Sequence, residues 1–235
     1  MITRGVISGN NYTMTGATGW IGTALRKQLD AIPLPDHWYI HLAPTTLPDE
    51  WRGLRNVLFS SSGAVYGQGV IRGVSERQPL GNNCNIYGIT KQEIERVVCE
   101  AGGISARIFT LIGPHQPDKF AITGFIRDAR RKGIIQIFGD GETIRSYMHI
   151  NDCAHWLYQL MLHGNHGEAY NVGSFNPVTF NQLARMVAKE IPANIQVLNI
   201  RNEPMPVYYP DTGKAERLGL KMTVTLSQAI KEVCA

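Results

Sequence analysis

The sequence predicts an α/β fold: a doubly wound parallel sheet carrying a smaller α+β lobe toward the C-terminus. Strand-like and helix-like hydrophobic periods alternate through the first half of the 235 residues, the pattern of βαβ units. Between the first strong strand and the first helix stands "TGATGWIG", with Gly16, Gly19 and Gly22 at the spacing G-x-x-G-x-x-G. After Pro114 the texture changes to short strands and capped helices, which predicts a second, smaller unit.

The elements follow in order. "YTMT" (12–15) is a strand, and the helix after the glycine turn puts Ile21, Ala24, Leu25 and Leu29 on one face. "HWYIHLA" (37–43) and "NVLFSSS" (56–62) are buried strands. Residues 89–101 form a helix that turns Ile94, Val97, Val98 and Ala101 inward and is closed by Gly102 and Gly103. "ARIFTLIG" continues the sheet. A helix near 120–132 leads to two strand-like runs about a Gly-Asp-Gly turn. Then comes a helix capped by Asn151 or Asp152, with Ala154, Leu157, Tyr158 and Met161 inward, and "AYNVGS" as a short strand. Thr179 with Gln182, and Thr225 with Gln228, are capping boxes for the last two helices. The expected division is residues 1–113 as a nucleotide-binding domain, 114–235 mainly as a substrate lobe, and 147–174 returning to the first domain.

Composition narrows the function classes. The chain is 43% hydrophobic and 18% charged with a net charge of +4, ordinary for a globular protein. Its densest basic run, "RDARRKG" (127–133), sits at a helix end, where cations complement the helix dipole. No basic stripe interleaves with aromatics, which argues against nucleic-acid binding. No apolar run reaches a membrane span and "MITRGVISGN" lacks a signal-peptide core, so a cytoplasmic location without membrane partners is expected. Cys84, Cys99, Cys153 and Cys234 are widely spaced, as reduced thiols are, and His163 with His166 lack further ligands for a metal.

Two local patterns carry chemistry. Glycines at 16, 19 and 22 permit a tight turn through which backbone N–H groups and a helix N-terminus can approach a pyrophosphate. In "IYGITK" (86–91), Tyr87 and Lys91 are four residues apart, one helical turn, so both lie on one face. A phenol titrating ordinarily near 10 acts near neutral pH only where cations favour its phenolate. The acidic residue that bonds an adenosine ribose about 20 positions beyond the glycine turn has no clear counterpart. Asp36 is near that distance, but "AIPLPDHW" places it between prolines, in a loop.

Taken together, "TGATGWIG", "LFSSSGAVYG" (58–67), "YGITK" and "IRSYMHINDCA" (144–154) resemble the extended short-chain dehydrogenase/reductase family, in particular its nucleotide-sugar epimerases, 4-ketoreductases and dehydratases. The resemblance covers nearly the whole chain, in order. It implies a Rossmann-type fold, NAD or NADP as cofactor, a nucleoside-diphosphate sugar as substrate, a homodimer and a role in surface-polysaccharide sugar biosynthesis. It implies Ser62, Tyr87 and Lys91 as catalytic residues: Tyr87 moves the proton, Lys91 bonds the nicotinamide ribose and lowers the phenol's pKa, and Ser62 bonds the sugar oxygen. By the same resemblance Gly16, Gly19, Trp20, Ile21, Gly22, Ser60 and Ser61 join Tyr87 and Lys91 at the cofactor, while Ser62, Tyr66, Thr110, Arg145 and Arg201 meet the substrate.

The chain departs from the family in three places. Thr110 stands where an asparagine usually contacts substrate. Ser61, Ser62 and Gly63 stand where 4,6-dehydratases carry Thr-Asp-Glu, which makes a dehydratase the weaker branch. "WYIHLA" resembles the family's fourth strand, so its second strand, the following helix and the third strand are absent between about Leu29 and Trp38. That leaves the first strand at an open edge, which "RGVIS", the turn "GNN" and "YTMT" can cover as a hairpin. The alternative to an enzyme is a degenerate relative that binds or regulates.

Overall fold

The protein is described by a computed structural model covering residues 6–43, 47–198 and 207–235. The chain opens with β1 (Ile7–Gly9) and β2 (Tyr12–Thr15), an antiparallel pair with Ile7 opposite Met14. This is the hairpin expected from the sequence, and β1 forms the edge of the main sheet. Helix α1 (Trp20–Ala31) leads to β3 (Trp38–His41), and a single 3₁₀ turn at Asp49–Trp51 leads on to β4 (Val57–Ser62). After β5 (Val70–Val74), helix α2 (Ile86–Glu100) and β6 (Ile104–Ile108) complete the first half.

Then follow β7 (Leu111–Ile112), α3 (Ala121–Lys132), β8 (Ile134–Ile137), β9 (Ile144–Ser146), β10 (Met148–His149) and α4 (Ile150–His163). The chain ends with β11 (Ala169–Val172), β12 (Pro177–Thr179), α5 (Phe180–Glu190), β13 (Asn194–Val197), β14 (Val207–Pro210), the single turn α6 (Gly213–Glu216) and α7 (Leu226–Cys234).

The main sheet runs β1-β2-β3-β4-β6-β11, parallel throughout except at β1. Its two faces are set by side-chain alternation. On β4, Leu58 points into a core with Leu25 and Leu29 of α1 and Trp156, Leu157 and Leu160 of α4. Val57 and Phe59 point the other way, against Ile94 and Val98 of α2 and against Leu47 and Trp51. Helices therefore cover both faces, and the carboxyl ends of the parallel strands are left open, where ligands bind in such sheets.

A second sheet, β12-β9-β14-β5, stands beside those carboxyl ends. The two runs about the Gly-Asp-Gly turn separate: β8 pairs with β13, while β9 pairs with β12 and β14, so the turn joins two sheets instead of closing a hairpin. Helix α4 is capped by His149, whose Nδ1 accepts the Asn151 N–H, and not by Asn151 or Asp152. Asp152 is spent elsewhere, accepting the N–H groups of Thr223 and Val224 and the Thr223 hydroxyl. Both predicted capping boxes, at Thr179 and Thr225, are present.

Candidate active site

Two of the chemistry-bearing segments come together because of where their elements end. Strand β4 delivers Ser60, Ser61 and Ser62 to its carboxyl end, and Ser62 then caps the 3₁₀ turn Gly63–Tyr66, its Oγ accepting the Ala64 N–H at 3.2 Å. Helix α2 starts at Ile86, capped by the Asn85 side chain on the Gly88 N–H, so Tyr87 lies in its first turn. Gly88 is needed there, since a Cβ would stand 2.7 Å from the Ala64 carbonyl oxygen. This close approach seats the start of α2 on the serine turn.

Lys91 is buried, at 4% exposure, and its Nζ donates to the Ser60 carbonyl at 2.7 Å. The ammonium also lies 5.7 Å from the Tyr87 ring centroid and 4.6 Å from that of Phe59. Burial lowers its pKa to about 8. Tyr87 is half exposed, at 47%.

Ser60, Ser61, Ser62, Tyr87 and Lys91 line a cleft of ≈ 780 Å³ together with Trp20, Ile21, Thr110 and Arg145. Arg145 leans on Tyr208, its guanidinium carbon 5.5 Å from that ring's centroid, and burial lowers its pKa. A second cleft of ≈ 420 Å³ continues past Arg145 along α3 and β8, lined by Lys119, Arg127, Gln136 and Phe138.

The glycine turn leads to the same end of the sheet. Gly16 has φ +71°, and a Cβ there would stand 2.8 Å from the Ala43 nitrogen. At Gly22 a Cβ would collide with the Gly16 carbonyl, so α1 is packed down on its own entry turn. Gly19 caps α1, whose first residues Trp20 and Ile21 reach the cleft, with the Trp20 Nε1 donating to the Pro114 carbonyl at 2.7 Å. These features fit a nicotinamide dinucleotide: a close-approach turn at a helix N-terminus beside a cleft with a buried ammonium. The Ser61 hydroxyl, buried on the cleft wall without a hydrogen-bond partner among the described residues, fits as well.

One predicted residue stands elsewhere. Tyr66 is turned into the core: its hydroxyl donates to Asn171 Oδ1 at 2.9 Å and accepts from Arg107 Nη1 at 2.7 Å. Burial pushes this phenol up to about 12. It therefore lines no part of the cleft, in contrast to its expected place at the substrate. Arg201 lies outside the described residues. Asp36 precedes β3, near the amino end of the sheet, as its prolines suggested.

The sequence reasoning missed Lys119, Phe120, Tyr147, Phe180 and Tyr208, all on the cleft wall. Tyr147 had a usable signal, being two residues beyond Arg145, the period that keeps strand side chains on one face. Tyr208 had none, because its strand pairs with β5 and β9, far away in sequence.

Among the described residues no helix is long and apolar enough to cross a membrane, and no group of three or more His, Cys, Asp or Glu is placed to hold a metal. The four cysteines are unpaired. His166 is engaged with the Gly102 carbonyl at 2.7 Å and stacks on Trp38.

Comparison with known proteins agrees with this architecture. The chain is 28% identical over 197 residues to a trifunctional UDP-glucose 4,6-dehydratase/UDP-4-keto-6-deoxy-D-glucose 3,5-epimerase/UDP-4-keto-L-rhamnose-reductase of Arabidopsis thaliana, a match covering 76% of this chain and 29% of that protein. It is 28% identical over 153 residues to an ADP-L-glycero-D-manno-heptose-6-epimerase of Pseudomonas aeruginosa, covering 58% of this chain and 46% of that one. The chain thus spans less than half the length of these two relatives. Among solved structures, RMD from Pseudomonas aeruginosa complexed with NADPH superposes with a TM-score of 0.79 at 20% identity, covering 95% of this chain and 96% of that one. That likeness shows a shared Rossmann-type fold. The family model described as "NAD dependent epimerase/dehydratase family" matches residues 41–173, more than half of the chain, from the end of β3 through β11. The chain belongs to the NAD dependent epimerase/dehydratase family.

Proposed function

We propose that the chain is an NAD(P)-dependent enzyme acting on a nucleoside-diphosphate sugar, as an epimerase or a 4-ketoreductase working at C4. The observation that carries this reading is the shared cleft of Ser62, Tyr87, Lys91 and Arg145. The cofactor supplies the hydride chemistry. Gly16, Gly19, Gly22, Trp20 and Ile21 would hold its pyrophosphate side, and Ser60, Ser61 and Lys91 its nicotinamide ribose side. Tyr87 takes or gives the proton of the sugar hydroxyl, and the Lys91 ammonium favours the phenolate that this requires. Ser62 hydrogen-bonds the same sugar oxygen. Arg145 meets the diphosphate, for which a planar, permanently charged fork is suited.

A 4,6-dehydratase is disfavoured by the packing at Gly63. A Cβ there would stand 2.6 Å from the Phe109 ring and would collide with the Tyr208 hydroxyl. A side chain there would have to displace both rings, and Ser62 and Gly63 supply no carboxyl group for the acid chemistry that water elimination needs beside the sugar.

The test is calorimetric titration of the folded protein with NAD, NADH, NADP and NADPH, after inspecting its ultraviolet absorbance for bound cofactor. Turnover with UDP-hexoses and with 4-keto sugars is then assayed. Retained NAD with interconversion of C4 epimers is the epimerase outcome, and exchangeable NADPH consumed by a 4-keto sugar is the reductase outcome. Failure to bind any of the four would overturn the enzyme reading and leave a binding or regulatory role.

A further inference from the structure

We infer that Gln92 is a positioning residue which holds the start of α2, with Tyr87 and Lys91, at a fixed distance from the turn that Ser62 caps. The inference deepens the hydride-transfer reading above and rests on it. Its evidence is a set of hydrogen bonds made behind the cleft, since Gln92 is not on the cleft wall. The Gln92 Nε2 donates to the Val65 carbonyl at 2.9 Å and to the Gly81 carbonyl at 2.8 Å, with the Cys84 Sγ 3.3 Å away. Carbonyls only accept, so the amide presents its NH2 end to them and both of its hydrogens are used.

Those carbonyls belong to the two segments that meet at the site. Val65 is in the 3₁₀ turn Gly63–Tyr66, and Gly81 is in the loop that leads into α2. The Val65 carbonyl also accepts the Gly81 N–H at 2.9 Å, so turn, loop and helix share one junction. Along the chain, residues 63–86 lie between Ser62 and Tyr87, and a path of that length fixes no distance by itself.

Two kinds of force set the spacing. The close approach of Gly88 to the Ala64 carbonyl limits how near α2 can come, because a shorter distance meets repulsion between the atoms. It does nothing to keep the helix from lifting away. Hydrogen bonds supply that restraint: Lys91 to the Ser60 carbonyl, just before Ser62, and Gln92 to the Val65 carbonyl, just after it. On the proposed reading Lys91 also serves the nicotinamide ribose, which leaves Gln92 as the restraint with no second task. Ser62 and Tyr87 have to reach one sugar oxygen together, and a displacement of about 1 Å at such a site can cost about 100-fold in rate.

The test separates positioning from folding. Gln92→Met keeps the volume and removes both donors, and it is expected to lower kcat about 10-fold with the sugar KM within about twofold. In a Ser62→Ala background the same change should cost less than about twofold more, since no second contact is left to keep in register with Tyr87. A further loss of about 10-fold in that background would mean a general effect on the fold, and an unchanged kcat in Gln92→Met would remove the role; either overturns the inference. Gln92→Glu adds a pH readout. Ionised at about pH 8, its carboxylate sets acceptors against carbonyls and the variant should be slower than Gln92→Met; protonated near about pH 5, it regains one donor, so the ratio of the two rates should rise as pH falls. A ratio independent of pH would count against the hydrogen bonds and overturn the inference as well. Crystal structures supply a measure that needs no turnover: the Ser62 and Tyr87 hydroxyls should stand further apart in Gln92→Met than in wild type, or adopt two separations, and a single unchanged separation sinks the idea. If the wild-type protein turns over no nucleotide sugar, the hydride-transfer reading fails, while that separation still decides what Gln92 does.

Discussion

Lys91 and Glu95 lie one turn apart on α2, both face the main sheet, and both are 4% exposed. Their surroundings are opposite. Glu95 is fully answered: Arg107 meets it with Nε at 3.0 Å and again through Nη2, and the Ser105 hydroxyl donates to it at 2.8 Å. Arg107 in turn reaches the Tyr66 hydroxyl, which continues through Asn171 to the Val74 and Asp211 carbonyls. Lys91 has one neutral carbonyl and two ring faces. The Arg107 guanidinium is held charged by its carboxylate partner despite burial, whereas the Lys91 ammonium, with burial as the cause, is brought down to about 8. The same helix therefore carries one charge whose solvation the protein has replaced and one whose solvation it has withheld. The withheld one lines the cleft. This is the pattern expected where a charge serves a ligand instead of the fold.

The largest effect should come from breaking the answered pair. Glu95→Ala leaves a buried guanidinium without its counterion, and removal of one partner of such a pair costs about 3–5 kcal/mol. Urea denaturation of Glu95→Ala checks this. Replacing both charges by apolar groups of similar volume, as in Glu95→Leu with Arg107→Met, should recover more than half of the loss. A cost below about 1 kcal/mol for the single variant would erase the contrast between the two positions.

Lys91 should behave in the opposite sense. Below about pH 8 both native and unfolded chains hold the Lys91 proton, and the penalty for burying the charge is fully present. As pH rises from about 8 toward the ordinary 10.5, the native state releases the proton while the unfolded state keeps it, so the Lys91 contribution becomes more favourable. The whole interval is worth at most about 3 kcal/mol. Lys91→Met should therefore be as stable as wild type or more so at pH 7, with the difference shrinking by pH 10. Paired denaturant titrations at the two pH values measure it. On the proposed hydride-transfer reading, activity should fall about 100-fold or more in the same variant, because a Tyr87 phenolate would lose its cation. A variant both unstable and inactive would make Lys91 a structural residue like Glu95.

How much of this was legible in the sequence depends on the range of the interactions involved. The Tyr87 and Lys91 pair, the serine end of β4 and the glycine turn are local patterns, and the structure brings all three to one end of the sheet. The hairpin over the sheet edge was also local, two short runs about a polar turn. Tyr66 was misjudged because a neighbour of Ser62 in sequence was taken for a neighbour in the cleft. The 3₁₀ turn after Ser62 carries it into the core, where Arg107 and Asn171, 41 and 105 residues away, take its hydroxyl. The helix cap at 149 was missed for a similar reason, since Asp152 is drawn off by Thr223 and Val224, 71 and 72 residues on. Tyr208 belongs to the same class: nothing in "VYYP" indicates that its strand will lie between β5 and β9. Local spacing thus brings Tyr87 and Lys91 to the cleft, while the part of its wall that Tyr208 forms depends on the pairing of distant strands.

The smallest effect is expected at Arg96, the next residue along α2 and on its exposed face, and it completes the comparison. Arg96 and Glu100 form an ion pair at 2.9 Å, as short as the 3.0 Å contact of Arg107 Nε with Glu95, yet their side chains are 65% and 62% exposed. Water already solvates both groups, so the pair replaces little and gives up rotamer freedom to form. Arg96→Ala should cost no more than about 0.5 kcal/mol, and part of that should vanish in 1 M salt, where exposed charges are screened. Glu95→Ala should show no comparable salt dependence, because its partner is shielded from ions. If the two variants cost the same, burial would not be what separates the charges on this helix, and the argument that Lys91 is set apart by its missing partner would lose its physical basis.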